Sequence, residues 1–338
     1  MSKRVTIKDL AKALGISTST VSRALADTWD VKGETRERVL DMARRMDYHP
    51  NVNAKNLQNK STGTIGVIIP EFVNSFFPHV VMGIQEILYE AGYRMLIAQS
   101  NESKLQEREN LKMLIDNMVD GIIISVTCEG GNEEYYQNVI EHGMPVVFFN
   151  RVCENVKASK VVIDDVHMAE IAVEHLISTG HQRIIHFAGP ENLAITGKRT
   201  EGYINALRKH HMEIMDDAVV PTGIFIEDGK KAMEKLLKSG TTLPDAVFCF
   251  NDPVAVGVMK ALKNAGKRIP EDVAIIGFSE DVLATVVEPE LTTVLQPMHE
   301  MGCCAARIVL EQIKADKAKP YHTIVLEGKL KIRKSSAL

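Results

Sequence analysis

The chain has 338 residues, of which 45% are hydrophobic and 25% are charged. This length exceeds what one compact core of ordinary size needs, so we predict two or three globular domains. The basic N-terminal residues are not followed by the apolar segment of a signal peptide, and no apolar run is long enough to span a membrane. We therefore expect a cytoplasmic protein without a membrane partner.

Charge is distributed unevenly along the chain. Residues 1–60 contain 12 Lys and Arg against 7 Asp and Glu, a net charge of +5. The other 278 residues contain 28 against 37, a net charge of −9. A small basic segment on a large acidic body is typical of a nucleic-acid-binding module joined to a soluble domain.

The first predicted element is a short helix that begins after Thr6. Thr6 and Asp9 have the spacing of a capping box, in which each side chain bonds the backbone N–H of the other residue. Leu10 and Leu14 share one apolar face of this helix. Gly15 then supplies the left-handed residue that commonly ends a helix.

A second helix follows almost at once, from Thr18 to Leu25, with Ser17 as its N-cap. Two helices joined by so few residues must cross steeply, and the small Ala11 gives the second helix room to approach. This is the helix-turn-helix arrangement. Hydroxyl groups bind phosphate oxygens and arginine binds guanine through two hydrogen bonds, so the outward side chains favour DNA reading. Those side chains are Thr18, Ser19, Ser22 and Arg23.

A third helix is predicted from about Glu34 to Met46, with an apolar face that closes a small core. The polar segment that follows, from Tyr48 to about Asn59, cannot bury enough apolar surface to be helical alone. We expect this segment to fold only when a partner holds it.

These first sixty residues resemble the lactose-repressor (LacI/GalR) family of bacterial transcription regulators, and the resemblance continues through nearly the whole chain. It is carried by the run from Thr6 to Leu25, by Tyr48, Pro50 and Asn51, and by Ala54, Lys55 and Leu57. The resemblance implies a helix-turn-helix domain at 1–50, a hinge helix at 51–60, and an effector-binding and dimerisation domain at 61–338.

The resemblance also implies how the head would bind DNA. The second helix would enter the major groove, and the hinge would lie in the minor groove with Leu57 as the wedge that kinks the duplex. Lys55 stands where many members have arginine. The implied DNA-binding residues are Thr6, Ser17, Thr18, Ser19, Thr20, Ser22, Arg23, Tyr48, Asn51, Ala54, Lys55 and Leu57.

The remainder alternates apolar strands with segments of helical spacing, which predicts parallel sheets with helices on both faces. The predicted strands are Ile65–Pro70, Met95–Ala98, Gly121–Ser125, Pro145–Asn150, Val161–Ile163, Ile184–Ala188, Ala246–Phe250 and Val273–Phe278. The sequence alone does not divide these strands between sheets. The resemblance implies the two-lobed, periplasmic-binding-protein-like type I α/β fold, with lobe one at about 61–161 and 292–322 and lobe two at about 162–291 and 323–338.

Polar side chains follow several of the strands, where ligands of open α/β sheets bind. Phe76 and Phe77 follow the first strand, and they either stack on a sugar or base as exposed rings or pack at a helix start. The implied effector-binding residues are Phe76, Phe77, Asn150, Asp164, Arg199, Asp252 and Ser279. Leu193 and Ile195 stand where purine-binding members have polar contacts, and Ser279 stands where Asp is common. These departures favour a sugar or sugar acid over a purine.

No catalytic spacing is present in the sequence. Gly277–Asp281 lacks the second glycine of a nucleophile elbow, and Gly197–Thr200 lacks the upstream glycine of a phosphate-binding loop. The five cysteines show no metal-binding spacing, and an odd number in a cytoplasmic chain indicates unpaired thiols. We predict no enzyme activity, no cofactor and no metal.

Together these features predict a transcription regulator, expected to be a repressor, that binds a palindromic DNA operator as a homodimer. A sugar-like effector in the interlobe cleft would control its affinity, and the protein would associate with the nucleoid. Two alternatives stay open. One is a ligand receptor that uses only the body, and the other is a regulator whose signal is a phosphocarrier protein.

Overall fold

The computed structural model describes residues 5–26, 31–48, 61–315 and 320–337. The chain divides into two compact units between Thr62 and Gly63. The predicted hinge helix lies outside the described residues, and with it the predicted DNA contacts Asn51, Ala54, Lys55 and Leu57. Among the helices that are described, none combines the length and apolar character needed to cross a membrane.

The described part of the first unit consists of three helices, α1 (Ile7–Leu14), α2 (Thr18–Leu25) and α3 (Gly33–Arg45). The three predicted helices are confirmed, and the observed ends differ from the predicted ends by no more than two residues. Capping residues set both ends of α1 and the start of α2 locally, whereas no side chain caps the start of α3.

The ends of α1 show how the sequence sets these boundaries. The Thr6 hydroxyl donates to Asp9 Oδ2 at 2.7 Å, and the Thr6 backbone N–H donates to the same oxygen at 2.9 Å. Gly15 ends the helix with a φ of 67°, a left-handed conformation that a side chain would strain. The predicted capping box and glycine stop are both confirmed.

The three helices enclose one small core. Leu10, Val21, Ala24 and Val39 are fully buried at its centre. Further apolar side chains pack around them: Ile7, Ala11, Leu14, Ile16, Leu25, Val31, Met42, Ala43, Met46 and Tyr48. Full burial of each leucine or valine side chain stabilises the folded state by about 1.5–3 kcal/mol. Because the apolar face of α2 packs into this core, its polar face remains on the surface.

The second unit contains two six-stranded sheets. The first sheet is entirely parallel, with the strand order β11-β5-β4-β3-β1-β2. Its strands are β1 (Thr64–Ile69), β2 (Arg94–Gln99), β3 (Gly121–Ile124), β4 (Val146–Phe149), β5 (Ser159–Ile163) and β11 (Thr323–Leu326). The central strands are buried on both faces, which explains their continuous apolar runs.

The second sheet has the order β12-β10-β9-β8-β6-β7, parallel except for β12, which runs antiparallel to β10. Its strands are β6 (Ile184–Ala188), β7 (Val219–Pro221), β8 (Ala246–Cys249), β9 (Ala274–Ser279), β10 (Thr292–Leu295) and β12 (Lys329–Lys331). The predicted α/β architecture with parallel sheets is confirmed.

Helices cover both faces of each sheet and pack on one another in close pairs. They are α4 (Phe76–Glu90), α5 (Lys104–Asp116), α6 (Glu133–Glu141), α7 (Asp165–Ser178), α8 (Ala194–Lys209), α9 (Ile226–Lys238), α10 (Asp252–Asn264), α11 (Leu283–Val286) and α12 (Met298–Ile313). A Cβ on Gly302 of α12 would lie 2.0 Å from the Val80 carbonyl oxygen, and one on Gly83 of α4 would lie 2.0 Å from the His299 carbonyl oxygen. These two glycines therefore allow the backbones of α4 and α12 to touch.

Strand pairing corrects the lobe boundaries that the resemblance implied. Thr292–Leu295 was expected in lobe one, but it pairs with β9 in the second sheet. Thr323–Leu326 was expected in lobe two, but it pairs with β5 in the first sheet. The chain crosses between the sheets after β5, after β10 and after β11. Lobe one is hereafter the first sheet with its helices, and lobe two is the second sheet with its helices.

Candidate DNA-reading helix and ligand cleft

The first turn of α2 carries a compact group of hydroxyls. Ser17 Oγ accepts a hydrogen bond from the Thr20 N–H at 3.1 Å, which caps the helix as predicted. The same oxygen lies 2.7 Å from Ser19 Oγ and 2.8 Å from Thr20 Oγ1. One turn later, Arg23 Nε donates to the Ser19 carbonyl at 3.4 Å. This surface presents hydroxyl groups and a guanidinium side by side.

The predicted DNA contacts within the described head fall into two groups. Thr6, Ser17, Thr18, Ser19 and Arg23 are exposed. Thr20, Ser22 and Tyr48 are half-buried, and burial against the helical core raises the pKa of Tyr48. The Thr6 hydroxyl proton is directed to Asp9 rather than to solvent, so this group would have to turn before it could donate to a phosphate.

A cavity of about 40 Å³ lies between the two lobes. Five of the predicted effector residues line it: Phe76, Phe77, Asn150, Arg199 and Ser279. Six further polar residues line it as well: Glu71, Asn74, Arg151, Asn251, Asp281 and Gln296. A water molecule needs roughly 10–15 Å³ of such space, so a cavity of this volume is too small for a sugar. The lobes are in a closed arrangement.

Arg199 is the most deeply buried charge of the cleft, with 2% of its side chain exposed. Its Nε donates to Asp165 Oδ1 at 2.8 Å, and its Nη1 donates to the Phe250 carbonyl at 2.6 Å. The guanidinium carbon lies 3.7 Å from the centre of the Phe278 ring. The cation is thus held between a carboxylate and an aromatic face.

Arg151 forms a second buried ion pair beside the cavity. Its Nη1 donates to both oxygens of Glu102, at 2.8 and 3.0 Å. Its guanidinium carbon lies 5.4 Å from the centre of the Phe77 ring. The cleft therefore contains one partnered arginine from each lobe, and each presents N–H donors close to amide and hydroxyl side chains.

Two of the predicted effector contacts do not line the cavity. Asp164 is exposed and serves as the N-cap of α7, where its Oδ1 accepts from the His167 N–H at 3.0 Å. Its neighbour Asp165 points inward instead and pairs with Arg199. Asp252 is fully buried and accepts hydrogen bonds from Thr293 Oγ1 at 2.5 Å and the Asp281 N–H at 2.6 Å. Burial raises the pKa of Asp252 to about 7.

Phe76 and Phe77 are buried, contrary to the exposed rings that stacking on a ligand from solvent would need. They are 7% and 2% exposed and pack edge to face, with ring centres 5.1 Å apart. Phe77 also packs edge to face on Phe149, at 6.2 Å. The alternative reading, packing at a helix start, is therefore correct, although both rings also form part of the cavity wall.

Direct hydrogen bonds join the lobes at the cleft. The Ser75 N–H and hydroxyl both donate to Asp281 Oδ2, at 2.9 and 2.8 Å. A further hydrogen bond between the lobes runs from Lys198 Nζ to Glu154 Oε1, at 2.5 Å. Because Asp252 accepts from the backbone of Asp281, it positions the loop that carries this interlobe contact.

Two family models match the chain. The model described as "Bacterial regulatory proteins, lacI family" matches residues 6–51, and "Periplasmic binding proteins and sugar binding domain of LacI family" matches residues 62–333. The chain belongs to the LacI family. It is a DNA-binding transcription regulator with a ligand-binding body, and its family relatives are regulators rather than enzymes, as predicted.

Individual relatives cover almost the full length of this LacI-family chain. It is 33% identical to catabolite control protein A of Priestia megaterium, over 92% of the chain and 93% of the relative. It is 32% identical to the PurR repressor of Vibrio campbellii, over 97% of both. The structure of the transcriptional regulator CelR in complex with cellobiose matches with a TM-score of 0.74 and 30% identity, over 98% of this chain and 100% of that one.

The LacI-family body has a second, larger cavity away from the interlobe cleft. It measures about 480 Å³ and lies between α8 and the edge strand β7. Glu201 and Arg208 of α8 line it together with Pro221 of β7, and none of the predicted effector residues does. Its volume falls in the range of small-molecule sites, so it competes with the cleft as a location for the effector.

The fully buried His186 of β6 gives the body a predictable response to acid. Its Nδ1 lies 3.0 Å from the Phe248 carbonyl, which only accepts, and its Nε2 has no hydrogen-bond partner among the described residues. Burial lowers the pKa of His186 to about 4. As pH falls from about 6.5 to 4, the unfolded chain takes up this proton and the folded chain does not, which removes about 3 kcal/mol of stability.

We expect His186→Phe to flatten this part of the pH dependence, measured by urea unfolding between pH 4.5 and 7. The matched control is His142→Phe, which makes the same substitution at an exposed position of lobe one. An equal slope in wild type and His186→Phe would show that other groups cause the acid response.

Proposed function

We propose that this LacI-family chain is a repressor that binds a palindromic operator as a homodimer. The main support is the first turn of α2. There the hydroxyls of Ser17, Ser19 and Thr20 cluster beside the Arg23 side chain. Hydroxyls suit phosphate contacts and arginine suits guanine, and the helix is fixed to its neighbours by a complete core. A dimer of such heads requires two inverted half-sites.

The test is selection of bound duplexes from a random pool at physiological salt. An enriched inverted repeat of two half-sites supports the proposal. Binding without enrichment, which disappears steeply as salt rises, is phosphate attraction alone and contradicts specific recognition by the chain without ligand. Repeating that selection with candidate effectors separates a corepressor requirement from a failure of the proposal.

The edge strand β2 supports a dimer. It lies at the open edge of the first sheet, and its Leu96 and Ile97 are each 41% exposed. An exposed apolar edge strand is a site of association rather than a neutral surface.

We expect Leu96→Lys to raise the dissociation constant of the dimer at least tenfold, because a charge would be buried without a partner. Analytical ultracentrifugation measures this shift. Lys112→Glu on α5 serves as a charged surface control. A Leu96→Lys protein that remains as dimeric as wild type would place the dimer contact elsewhere.

We further propose that the interlobe cleft binds a sugar-like effector when the lobes separate. The cleft offers amides from Asn150, Asn251 and Gln296, a hydroxyl from Ser279 and two arginines, which together supply donors and acceptors for a polyhydroxylated ligand. The related CelR structure with cellobiose supports a saccharide. Leu193 and Ile195 are apolar and lie near the cleft, where a purine ligand would need polar contacts. These two residues therefore favour a saccharide over a purine.

Paired variants distinguish the cleft from the larger cavity. If the cleft binds the effector, Gln296→Ala should weaken sugar binding in calorimetry and Arg208→Ala should leave it unchanged. The reverse pattern would assign the effector to the cavity between α8 and β7. Saturating sugar screens that never change operator affinity would instead favour the phosphocarrier alternative.

A further inference from the structure

Three potential metal ligands lie on the surface of lobe one, away from the cleft and the head. Glu86 of α4 faces His299 and Cys303 of α12, where Gly83 and Gly302 bring the two helices into backbone contact. Suitable ligand atoms of the three side chains lie within 4.8 Å of one another. His299 Nε2 lies 3.1 Å from Glu86 Oε2, and His299 Nδ1 lies 3.7 Å from Cys303 Sγ.

The spacing of the nitrogen and the sulfur already fits a tetrahedral ion. Zinc binds histidine nitrogen at about 2.1 Å and cysteine sulfur at about 2.3 Å, so a tetrahedral angle separates the two ligand atoms by about 3.6 Å. His299 and Cys303 are four residues apart on one helix face, a relation that the rigid α12 maintains. Two of the four ligands, His299 and Cys303, therefore already lie at a suitable separation on one helix.

The third ligand comes from a different helix whose position is also fixed. Glu86 and His299 are 54% and 51% exposed in their side chains, whereas Cys303 is 6% exposed at the base of the group. An ion from solvent can reach the imidazole and carboxylate first and the thiol beneath them. Glu86 contacts Nε2, whereas Cys303 lies beside Nδ1, and one imidazole gives only one nitrogen to an ion. Because Glu86 is exposed, its carboxylate can leave Nε2 and turn towards an ion held by Nδ1 and the thiol.

We propose that Glu86, His299 and Cys303 form a binding site for a zinc-class divalent cation, with water in the fourth position. The mixture of thiolate, imidazole and carboxylate suits Zn²⁺ and its substitute Co²⁺ rather than Mg²⁺ or Ca²⁺, which prefer oxygen. Binding releases the thiol proton of Cys303 to solvent, so affinity rises with pH.

The site would couple two segments that lead into the cleft. Helix α4 begins at Phe76, directly after the interlobe contact of Ser75, and α12 begins two residues after Gln296. An ion shared by α4 and α12 would hold these two starts at a fixed separation. The sequence pattern predicted no metal, because Glu86 is far from His299 in the chain and no short motif contains all three ligands.

Cobalt titration of the reduced, tag-free full-length protein tests the proposal. We expect one equivalent of Co²⁺ to produce a thiolate-to-cobalt charge-transfer band and excess Zn²⁺ to remove it. His299→Ala and Cys303→Ser should abolish the band, and Glu86→Gln should weaken cobalt binding at least tenfold. The matched control is Cys304→Ser, which changes the adjacent cysteine outside the group and should retain the band.

Absence of a band in wild type would overturn the proposal, as would a band that survives in both His299→Ala and Cys303→Ser. If Cys304→Ser instead loses the band, the metal-bound thiolate is Cys304 rather than Cys303, which also contradicts the proposed site. Circular dichroism of each variant verifies folding, and Glu86→Gln, at an exposed position, keeps the test valid if Cys303→Ser does not fold.

Discussion

Replacing Arg199 with alanine is expected to lower the free energy of unfolding of the body by about 3–5 kcal/mol, because the buried Asp165 would lose its partner. Only 2% of the Arg199 side chain and 4% of the Asp165 side chain are exposed, so water cannot replace the lost ion pair. The change also removes the hydrogen bond to the Phe250 carbonyl and the packing on Phe278. Urea unfolding followed by circular dichroism measures the loss.

The matched control is Arg268→Ala, which breaks the exposed pair with Asp272 and should cost far less, because solvent screens that pair. Burial raises the pKa of Asp165 and lowers that of Arg199, even though each ion stabilises the charged form of the other. Removing two charges from water is costly, and apolar residues of similar volume can replace such a pair, whereas removal of one partner leaves a buried charge uncompensated. We accordingly expect the double variant Asp165→Leu, Arg199→Met to be more stable than Arg199→Ala. Equal losses for Arg199→Ala and Arg268→Ala would refute this account.

Replacing Arg23 with alanine is expected to weaken binding to the selected operator about 10- to 100-fold, the loss of 1–3 kcal/mol that a bidentate guanine contact provides. Binding to a scrambled duplex should weaken only slightly, because one positive charge is lost from phosphate attraction. Arg23 is exposed on α2 and does not contribute to the core of the head, so the fold should be unchanged. Titration of both duplexes at one salt concentration measures the two affinities.

Lys12→Ala is the control for charge alone. Lys12 is an exposed cation of α1, on the same unit but not on α2. It should reduce affinity for both duplexes by a similar small factor. If Arg23→Ala behaves in the same way as Lys12→Ala, then Arg23 contacts phosphate and base reading belongs to other side chains of α2.

The head was predicted closely because its signals are local. The bounds of α2 are as predicted, and the capping box of Thr6 and Asp9 and the left-handed Gly15 mark the ends of α1 within one turn. In the body, eight strands were predicted from their apolar runs. Seven of them are almost entirely buried, whereas β2 lies at the sheet edge and is largely exposed. The strands β7, β10, β11 and β12 were missed, because they are short and carry threonines, lysines or exposed positions.

The cleft was predicted less completely, for two physical reasons. Strand patterns indicate which residues follow a strand but not which way each side chain points, so Asp164 was chosen where Asp165 is the buried partner of Arg199. Gln296 was missed because the strand before it was missed. Asn150, Arg199 and Ser279 were predicted to line the cleft and do so.

The three crossings of the chain between the sheets have a consequence for synthesis on the ribosome. The first sheet begins with β1 near residue 64, yet its edge strand β11 and its covering helix α12 come only after residue 297. The second sheet likewise waits for β10 and β12. Neither lobe can close its hydrogen-bonded sheet until almost the whole chain has emerged, so the growing protein must keep incomplete sheets from associating with other chains. Truncation before β10 should leave two unfinished lobes rather than one intact lobe.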